Sequence, residues 1–266
     1  MIACGGPPSE DTSSSDAPEP DAASAAVLDA GSGELLYELR ADSRIQPGSL
    51  TKLMPVYILF SEVEAGSASL DDTVTVSARA AGTRGSAAGL PEGAALSVRA
   101  AVYGILLPSG GDAAIALSEF LCGSEEAMVD RMNDTASGLG MGGTRFADCT
   151  GLSYEQLTTS RDMAIFVTAL LGEYPEILDY TKDVSKTVTY ELGGETKELE
   201  LYNTNRLLGS VDGVCGLKTG TVGDIHNVII VAERAEKRRA VVVLGALDEI
   251  ARWQAARQLT EYGFTV

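Results

Sequence analysis

Toward the C-terminal end of this chain, three strand-like runs follow one another with only short breaks, at residues 216–221, 227–234 and 239–246. Valine and isoleucine dominate the last two, and branched side chains suit the pleated, packed surface of a sheet. A break as short as 235–238 permits only antiparallel neighbours, because a parallel crossover needs a dozen residues or more. At the other end, runs at 26–29 and 34–37 flank Ala30-Gly31-Ser32-Gly33 and read as a hairpin. Between the two ends the spacing is mostly helical. Helices are expected at 49–62, 97–107 with Ser97 as N-cap, 112–121 with Asp112 as cap, 124–139 and 160–171. Residues 70–78 look strand-like, 187–190 and 198–202 bracket Gly193-Gly194 as a second hairpin, and a helix over 250–262 closes the chain. If the terminal strands pair, the outcome is an α/β (strictly α+β) fold: one antiparallel sheet of about five strands flanked by helices, carrying a mostly helical insertion. The sheet part would come from 25–47 and 210–266, and the helical part from about 48–209.

The chain has 266 residues and 45% apolar content, enough for a single large domain with a real core. Acidic residues outnumber basic ones 38 to 20, a net charge of −18 that repels phosphate backbones and argues against nucleic acid as a partner. No apolar run approaches the roughly 18 residues of a membrane span. The single histidine, His226, disfavours multi-histidine metal sites and a Ser-His-Asp triad. Four cysteines without C-x-x-C spacing suggest neither zinc nor redox chemistry, and Cys122, Cys149 and Cys215 are expected as buried or free thiols. No metal and no cofactor is called for.

Residues 1–24 stand apart. They hold Pro7, Pro8, Pro18 and Pro20, five acidic residues and no lysine or arginine, a composition unable to bury enough apolar area to order itself. The segment reads as a flexible tether. Its head, Met1-Ile2-Ala3-Cys4-Gly5-Gly6, is similar to the end of a bacterial lipoprotein signal, where a small residue precedes the cysteine that is lipidated. A lipid on Cys4 would be the chain's only link to a membrane.

Three short motifs carry chemistry. In Ser49-Leu50-Thr51-Lys52 the i to i+3 spacing puts Ser49 and Lys52 on one helix face. A serine hydroxyl is a poor nucleophile, and a partly desolvated neighbouring amine can take its proton. Lys218-Thr219-Gly220 lies on an expected strand in Gly216-Leu217-Lys218-Thr219-Gly220-Thr221. Such a strand offers backbone groups to an extended peptide, with lysine and threonine for a terminal carboxylate. Ser109-Gly110-Gly111 occupies an inter-helix loop, where a serine can relay a proton to a leaving group. Each alone has an ordinary reading: a surface serine near a lysine, a lysine at a strand end, a turn serine before a helix. In this chain order, 60 and 109 residues apart, they make the signature of penicillin-interacting serine enzymes.

With those residues in view, the chain resembles the low-molecular-mass penicillin-binding proteins that act as serine-type D-alanyl-D-alanine carboxypeptidases. The resemblance spans about residues 25–266. It includes Pro47-Gly48-Ser49-Leu50-Thr51-Lys52-Leu53-Met54, Thr144-Arg145-Phe146-Ala147-Asp148-Cys149-Thr150-Gly151-Leu152, Ser160-Arg161-Asp162-Met163-Ala164 and Asn203-Thr204-Asn205-Arg206-Leu207-Leu208. It implies a β-lactamase/transpeptidase-like fold and a D-alanyl-D-alanine carboxypeptidase acting on the pentapeptide stem of peptidoglycan in the cell envelope, outside the cytoplasm. β-Lactam antibiotics would be covalent inhibitors. Ser49 would be the nucleophile, Lys52 its base, and Ser109 the proton shuttle. Lys218 and Thr219 would hold the substrate carboxylate, with Gly220, Thr221 and Gly111 also in the substrate site, and the backbone N–H groups of Ser49 and Thr221 would form the oxyanion hole. Many members add a C-terminal anchor, for which an N-terminal lipid would here substitute.

Three positions depart from the family pattern. The middle motif ends in Gly111 where an asparagine is usual, so an amide is lost. Ile225-His226 stands where small residues are common, with His226 either structural or at the rim of the site. Pro55 falls inside the expected nucleophile helix and predicts a kink there. Two other readings stay open: a class A-like β-lactamase, for which Glu155 is the nearest glutamate, and a binding module that kept the scaffold without turnover.

Overall fold

The computed structural model describes residues 17–266. The order of elements is β1 (Ser24–Asp29), β2 (Leu35–Leu39), a 3-10 turn (Gly48–Lys52), α1 (Leu53–Glu64), β3 (Thr73–Thr75), α2 (Ala78–Ala81), β4 (Ala95–Ser97), α3 (Val98–Leu106), α4 (Gly111–Cys122), α5 (Glu125–Gly138), α6 (Ser160–Glu173), α7 (Ile177–Thr181), β5 (Ser185–Leu192), β6 (Glu195–Tyr202), β7 (Val214–Val222), β8 (Ile225–Arg234), β9 (Lys237–Ala246) and α8 (Glu249–Gly263). Five strands pair in the order β2-β1-β9-β8-β7, antiparallel throughout.

This sheet is covered on both faces, which is why its central strands read as unbroken apolar runs rather than alternating ones. Val27, Val228, Ile230, Val241 and Val243 pack with Ala251, Ala255, Ala256 and Leu259 of α8. Leu28, Ile229, Val231, Val242 and Leu244 point the other way, into a core shared with α1, α3, α4 and α6.

The middle of the chain is mostly helical, as expected, but it also holds strands. A second sheet, β3-β4-β5-β6, runs along it. The stretch 70–78 supplies only three strand residues, Thr73–Thr75, before α2 begins at Ala78. Ordered chain also starts before Ala25: Ser24 opens β1, Tyr37 Oη donates to Pro18 O at 2.8 Å, and Arg40 Nη2 donates to Ala22 O at 2.6 Å. Cys4 and the rest of 1–16 lie outside the described residues.

Capping follows the expected chemistry at Ser97 and Ser124, whose hydroxyls accept from Ala100 N and Ala127 N. It does not at Asp112. The cap of α4 is Gly110, and the buried Asp112 carboxylate instead accepts from Ala88 N, Gly89 N and Leu90 N of the loop before β4. Three N–H donors from a separate loop satisfy an anion better than one N-cap contact. The expected effect of Pro55 is corrected as well. The helix proper starts at Leu53, so Pro55 sits in its first turn, where an N–H has no intrahelical acceptor to lose. The change of helix type precedes the proline, between Lys52 and Leu53.

Candidate active site

The Gly48–Lys52 turn is pressed against β7, and two glycines make this approach feasible. A Cβ on Gly48, whose φ is +55°, would lie 2.8 Å from Thr221 N, and one on Gly220 would lie 2.5 Å from Pro47 O. Asn227 fastens the same junction from the sheet side. It falls at a register shift between β8 and β9 and is fully buried. Its Nδ2 donates to Gln46 O at 2.9 Å and Pro47 O at 3.0 Å, while its Oδ1 accepts from Gly245 N at 2.8 Å. A residue released from the ladder thus spends its amide on the turn that carries Ser49.

Inside that turn Lys52 Nζ donates to Ser49 Oγ at 2.8 Å and to Thr150 O at 2.6 Å. Lys52 is 2% exposed, with no carboxylate in hydrogen-bond contact. Burial disfavours the ammonium and pulls its pKa down to about 8, against opposing pulls that include the Asp148 and Asp112 charges.

Facing it, Lys218 Nζ of β7 donates to Ser109 Oγ at 2.8 Å and to Thr219 O at 3.0 Å. Burial, then the nearby charges of Lys52 and Arg252, push its pKa well below that of a free lysine. Ser109 is held in the left-handed region at φ +65°, a costly conformation for a residue with a Cβ. The turn around it is over-determined: Gly110 N donates to Gly104 O at 2.8 Å and Gly111 N to Ser86 O at 2.8 Å.

Ser49, Ser109, Thr219 and Thr221 line one cleft of about 360 Å3, with the two lysines beneath its floor. Besides Lys218, whose amine is spent on Ser109 and Thr219, two of the expected contact residues are not in its lining. Gly220 turns its bare face to Pro47 and Leu50, and Gly111 to Thr83 and Ser86. Both glycines serve close packing. His226 pairs with Thr221 across β7 and β8, outside the lining, and its Nδ1 is buried without a partner. Glu155 is exposed and also outside the lining. Among the described residues Cys122, Cys149 and Cys215 are free thiols, and burial pushes the Cys149 thiol far up.

The structure adds residues that short motifs did not single out: Ser86, Asn203, Thr204, Arg206, Glu249 and Arg252. Thr204 bridges the two halves of the cleft, its N donating to Leu107 O at 3.1 Å and its Oγ1 lying 2.7 Å from Thr219 Oγ1. The nearly buried Arg252 donates from Nη1 to Thr221 Oγ1 at 3.1 Å and from Nη2 to Glu249 Oε1 at 3.2 Å. Glu249 also pairs with Arg206 at 3.1 Å. Arg252 lies on α8, and no spacing from Lys218 marks it in the sequence. In a chain of net charge −18, the Arg252 guanidinium beside Thr221 brings positive charge to the cleft above the two buried lysines, which favours a carboxylate there.

Comparisons with known proteins identify the family. The model of the peptidase S11 family, described as D-alanyl-D-alanine carboxypeptidase, matches residues 11–248. D-alanyl-D-alanine carboxypeptidase DacF of Bacillus subtilis is 33% identical over 250 residues, which is 92% of this chain and 62% of the relative. DacC of Escherichia coli is 35% identical over 258 residues, 94% of this chain and 62% of the relative. The chain therefore spans about three fifths of the length of these curated relatives. Among solved structures, the Streptomyces K15 DD-transpeptidase superposes with a TM-score of 0.88 at 27% identity, covering 94% of this chain and 99% of that one. Penicillin-binding protein D2 from Listeria monocytogenes, in its ampicillin-bound form, gives a TM-score of 0.79 at 30% identity, covering 93% and 99%.

Proposed function

The chain belongs to the D-alanyl-D-alanine carboxypeptidase family, and on that premise we propose that it removes the terminal D-alanine from the pentapeptide stem of peptidoglycan through a Ser49 acyl-enzyme. The observation that carries the reading is the 2.8 Å contact between Lys52 Nζ and Ser49 Oγ at the floor of a cleft lined by threonines and two arginines. With its pKa near 8, Lys52 is neutral in part of the population close to neutrality. In the neutral form the contact reverses, and the Ser49 O–H donates to the amine.

Substrate lies along the free edge of β7, with its terminal carboxylate toward Thr219, Thr221 and Arg252. Ser49 Oγ attacks the carbonyl of the penultimate D-alanine as its proton passes to Lys52. The oxyanion forms at the backbone N–H groups of Ser49 and Thr221, which the glycine at 48 allows to approach each other. Ser109 relays that proton from Lys52 to the departing amine, taking one in as it gives one up, and Lys218 fixes its hydroxyl. Water then hydrolyses the ester. The two buried lysines disfavour the binding-module reading, since amines held against serine hydroxyls with their charged forms disfavoured by burial cost stability without serving structure. The β-lactamase reading lacks its glutamate, because Glu155 is exposed and Glu249, the carboxylate in the lining, is paired with arginines.

The proposed domain plan is one enzyme unit over residues 25–266, acting on the cell wall outside the cytoplasmic membrane. Among the described residues no helix is long and apolar enough to cross a membrane. Anchoring through a lipid on Cys4 is the accompanying proposal.

Incubation with a fluorescent penicillin tests the reading. A long-lived adduct that Ser49→Ala abolishes, together with release of D-alanine from a pentapeptide, is the expected result. Rapid drug hydrolysis would point to a lactamase, and absence of any adduct to a binding module.

A further inference from the structure

Asp148 lies in the loop between α5 and α6, and it is absent from the cleft lining. Its carboxylate collects five donors. Oδ1 accepts from Thr150 N at 2.7 Å, Gly151 N at 2.5 Å, Thr150 Oγ1 at 3.1 Å and Gln156 Nε2 at 3.2 Å, and Oδ2 accepts from Ser153 N at 2.5 Å. The fully buried Gln156 passes the contact onward, its Oε1 accepting from Thr51 Oγ1 at 3.3 Å, next to Lys52. With its own N–H and hydroxyl tied to Asp148, Thr150 presents its carbonyl to Lys52 Nζ at 2.6 Å. Gly151 follows at φ +88°, and a Cβ there would lie 2.0 Å from Gly48 O. The loop therefore rests directly on the turn that carries Ser49.

This arrangement has a chemical consequence. A neutral lysine amine has two N–H bonds and one lone pair. Committing one N–H to a fixed carbonyl limits rotation about the terminal C–N bond and leaves the lone pair free to face Ser49. We propose that Asp148 is a positioning residue for acylation: by clamping the Thr150 carbonyl it aims the Lys52 lone pair at the Ser49 hydroxyl. The proposal rests on the reading of Lys52 as the base that receives the Ser49 proton while the Ser49 Oγ–acyl bond forms.

The ionisable groups that bear on Lys52 are Asp148, Asp112 on α4, Cys149 and Lys218 on β7. Cys149 stays a neutral thiol because burial pushes its pKa far up. Asp148 and Asp112 are then the anions that favour the Lys52 ammonium, and Lys218 is the neighbouring cation. Removing the Asp148 charge makes the proton easier to lose.

The test is the time course of labelling by fluorescent penicillin, followed against drug concentration and pH, for wild type, Asp148→Asn and Asp148→Ala. In Asp148→Ala the maximal acylation rate should fall about a hundredfold, the scale of misplacing a reactive group by an ångström. The half-saturating drug concentration should hold, because Thr219 and Arg252 are untouched. Asp148→Asn keeps an oxygen acceptor for the Thr150 and Gly151 N–H groups. It should recover most of the rate, with the midpoint of the rate–pH curve displaced to lower pH. Wild-type rate in Asp148→Ala, equal losses in both variants with an unmoved midpoint, or a loss confined to the half-saturating concentration would each overturn the proposal. Should Asp148→Ala fail to fold, the pH midpoint of Asp148→Asn decides alone. A wild-type chain that forms no Ser49-dependent adduct would remove the reading of Lys52 as base, and this proposal with it.

Discussion

Lys218 Nζ and Ser109 Oγ stand 2.8 Å apart although 109 residues separate them, and this bond joins the edge of the five-stranded sheet to the turn between α3 and α4. The cleft exists only where these two halves meet. Ser109→Ala leaves the buried Lys218 amine with Thr219 O alone. Acylation by a fluorescent penicillin is expected to slow by about 10²–10⁴-fold, the usual contribution of a positioned proton donor. A variant that labels at the wild-type rate would take Ser109 out of the proton path.

Because burial brings Lys52 to about 8, its amine is mostly protonated below that pH and mostly free above it. A base must be free to act, so the rate of adduct formation should climb about tenfold per pH unit on the acid side and level off above a midpoint near 8. Labelling rates measured between pH 5.5 and 9.5 check this. A flat profile across that range would be inconsistent with an amine base.

Lys218 binds a proton less readily in the folded chain than in the unfolded one. The unfolded state therefore holds more protons between the depressed folded value and 10.5, and folding stability should rise with pH across that window. The penalty is present in full below the folded value. Lys218→Met removes it, and the variant should melt higher than wild type at pH 7 while losing its response to penicillin. Each 1 kcal/mol gained would appear as about 2–4 °C in a thermal melt. A lower melting temperature for Lys218→Met would contradict the argument.

Gly111→Asn places the family's usual residue back in the middle motif, yet its Cβ would meet Thr83 Oγ1 at 3.0 Å and Ser86 O at 3.3 Å. Overpacking of this kind costs about 1–3 kcal/mol. The single variant is expected to melt lower than wild type, and Thr83→Ala in the same chain should recover most of the loss. Circular-dichroism melts of the two variants provide the comparison, and a single variant as stable as wild type would show that the loop gives way freely.

Much of the fold is legible in the sequence because its signals are local. The runs that became β8 and β9 carry consecutive buried valines and isoleucines, and Ser97 and Ser124 cap helices through bonds three residues long. The second sheet was harder to see. β3 and β4 contribute three residues each, and their pairing depends on partners elsewhere in the chain. Asp112 looked like a cap because the helix begins beside it, but its acceptor capacity is spent 22 to 24 residues upstream.

The order of motifs and their residue types belonged to the sequence alone: an alcohol at 49 with an amine one helical step on, a serine loop, and a strand bearing Lys218 and Thr219. Those identities dictate which bonds can be made, and spacing of three residues reports on contact directly. Tertiary structure decided everything that depends on distant segments meeting. It placed Arg252 beside Thr221, turned Gly220 toward Pro47 and Gly111 toward Thr83, and set the Thr150 carbonyl against Lys52. Such neighbours are chosen by how whole elements pack, and a chain written in one dimension carries no periodic mark of them.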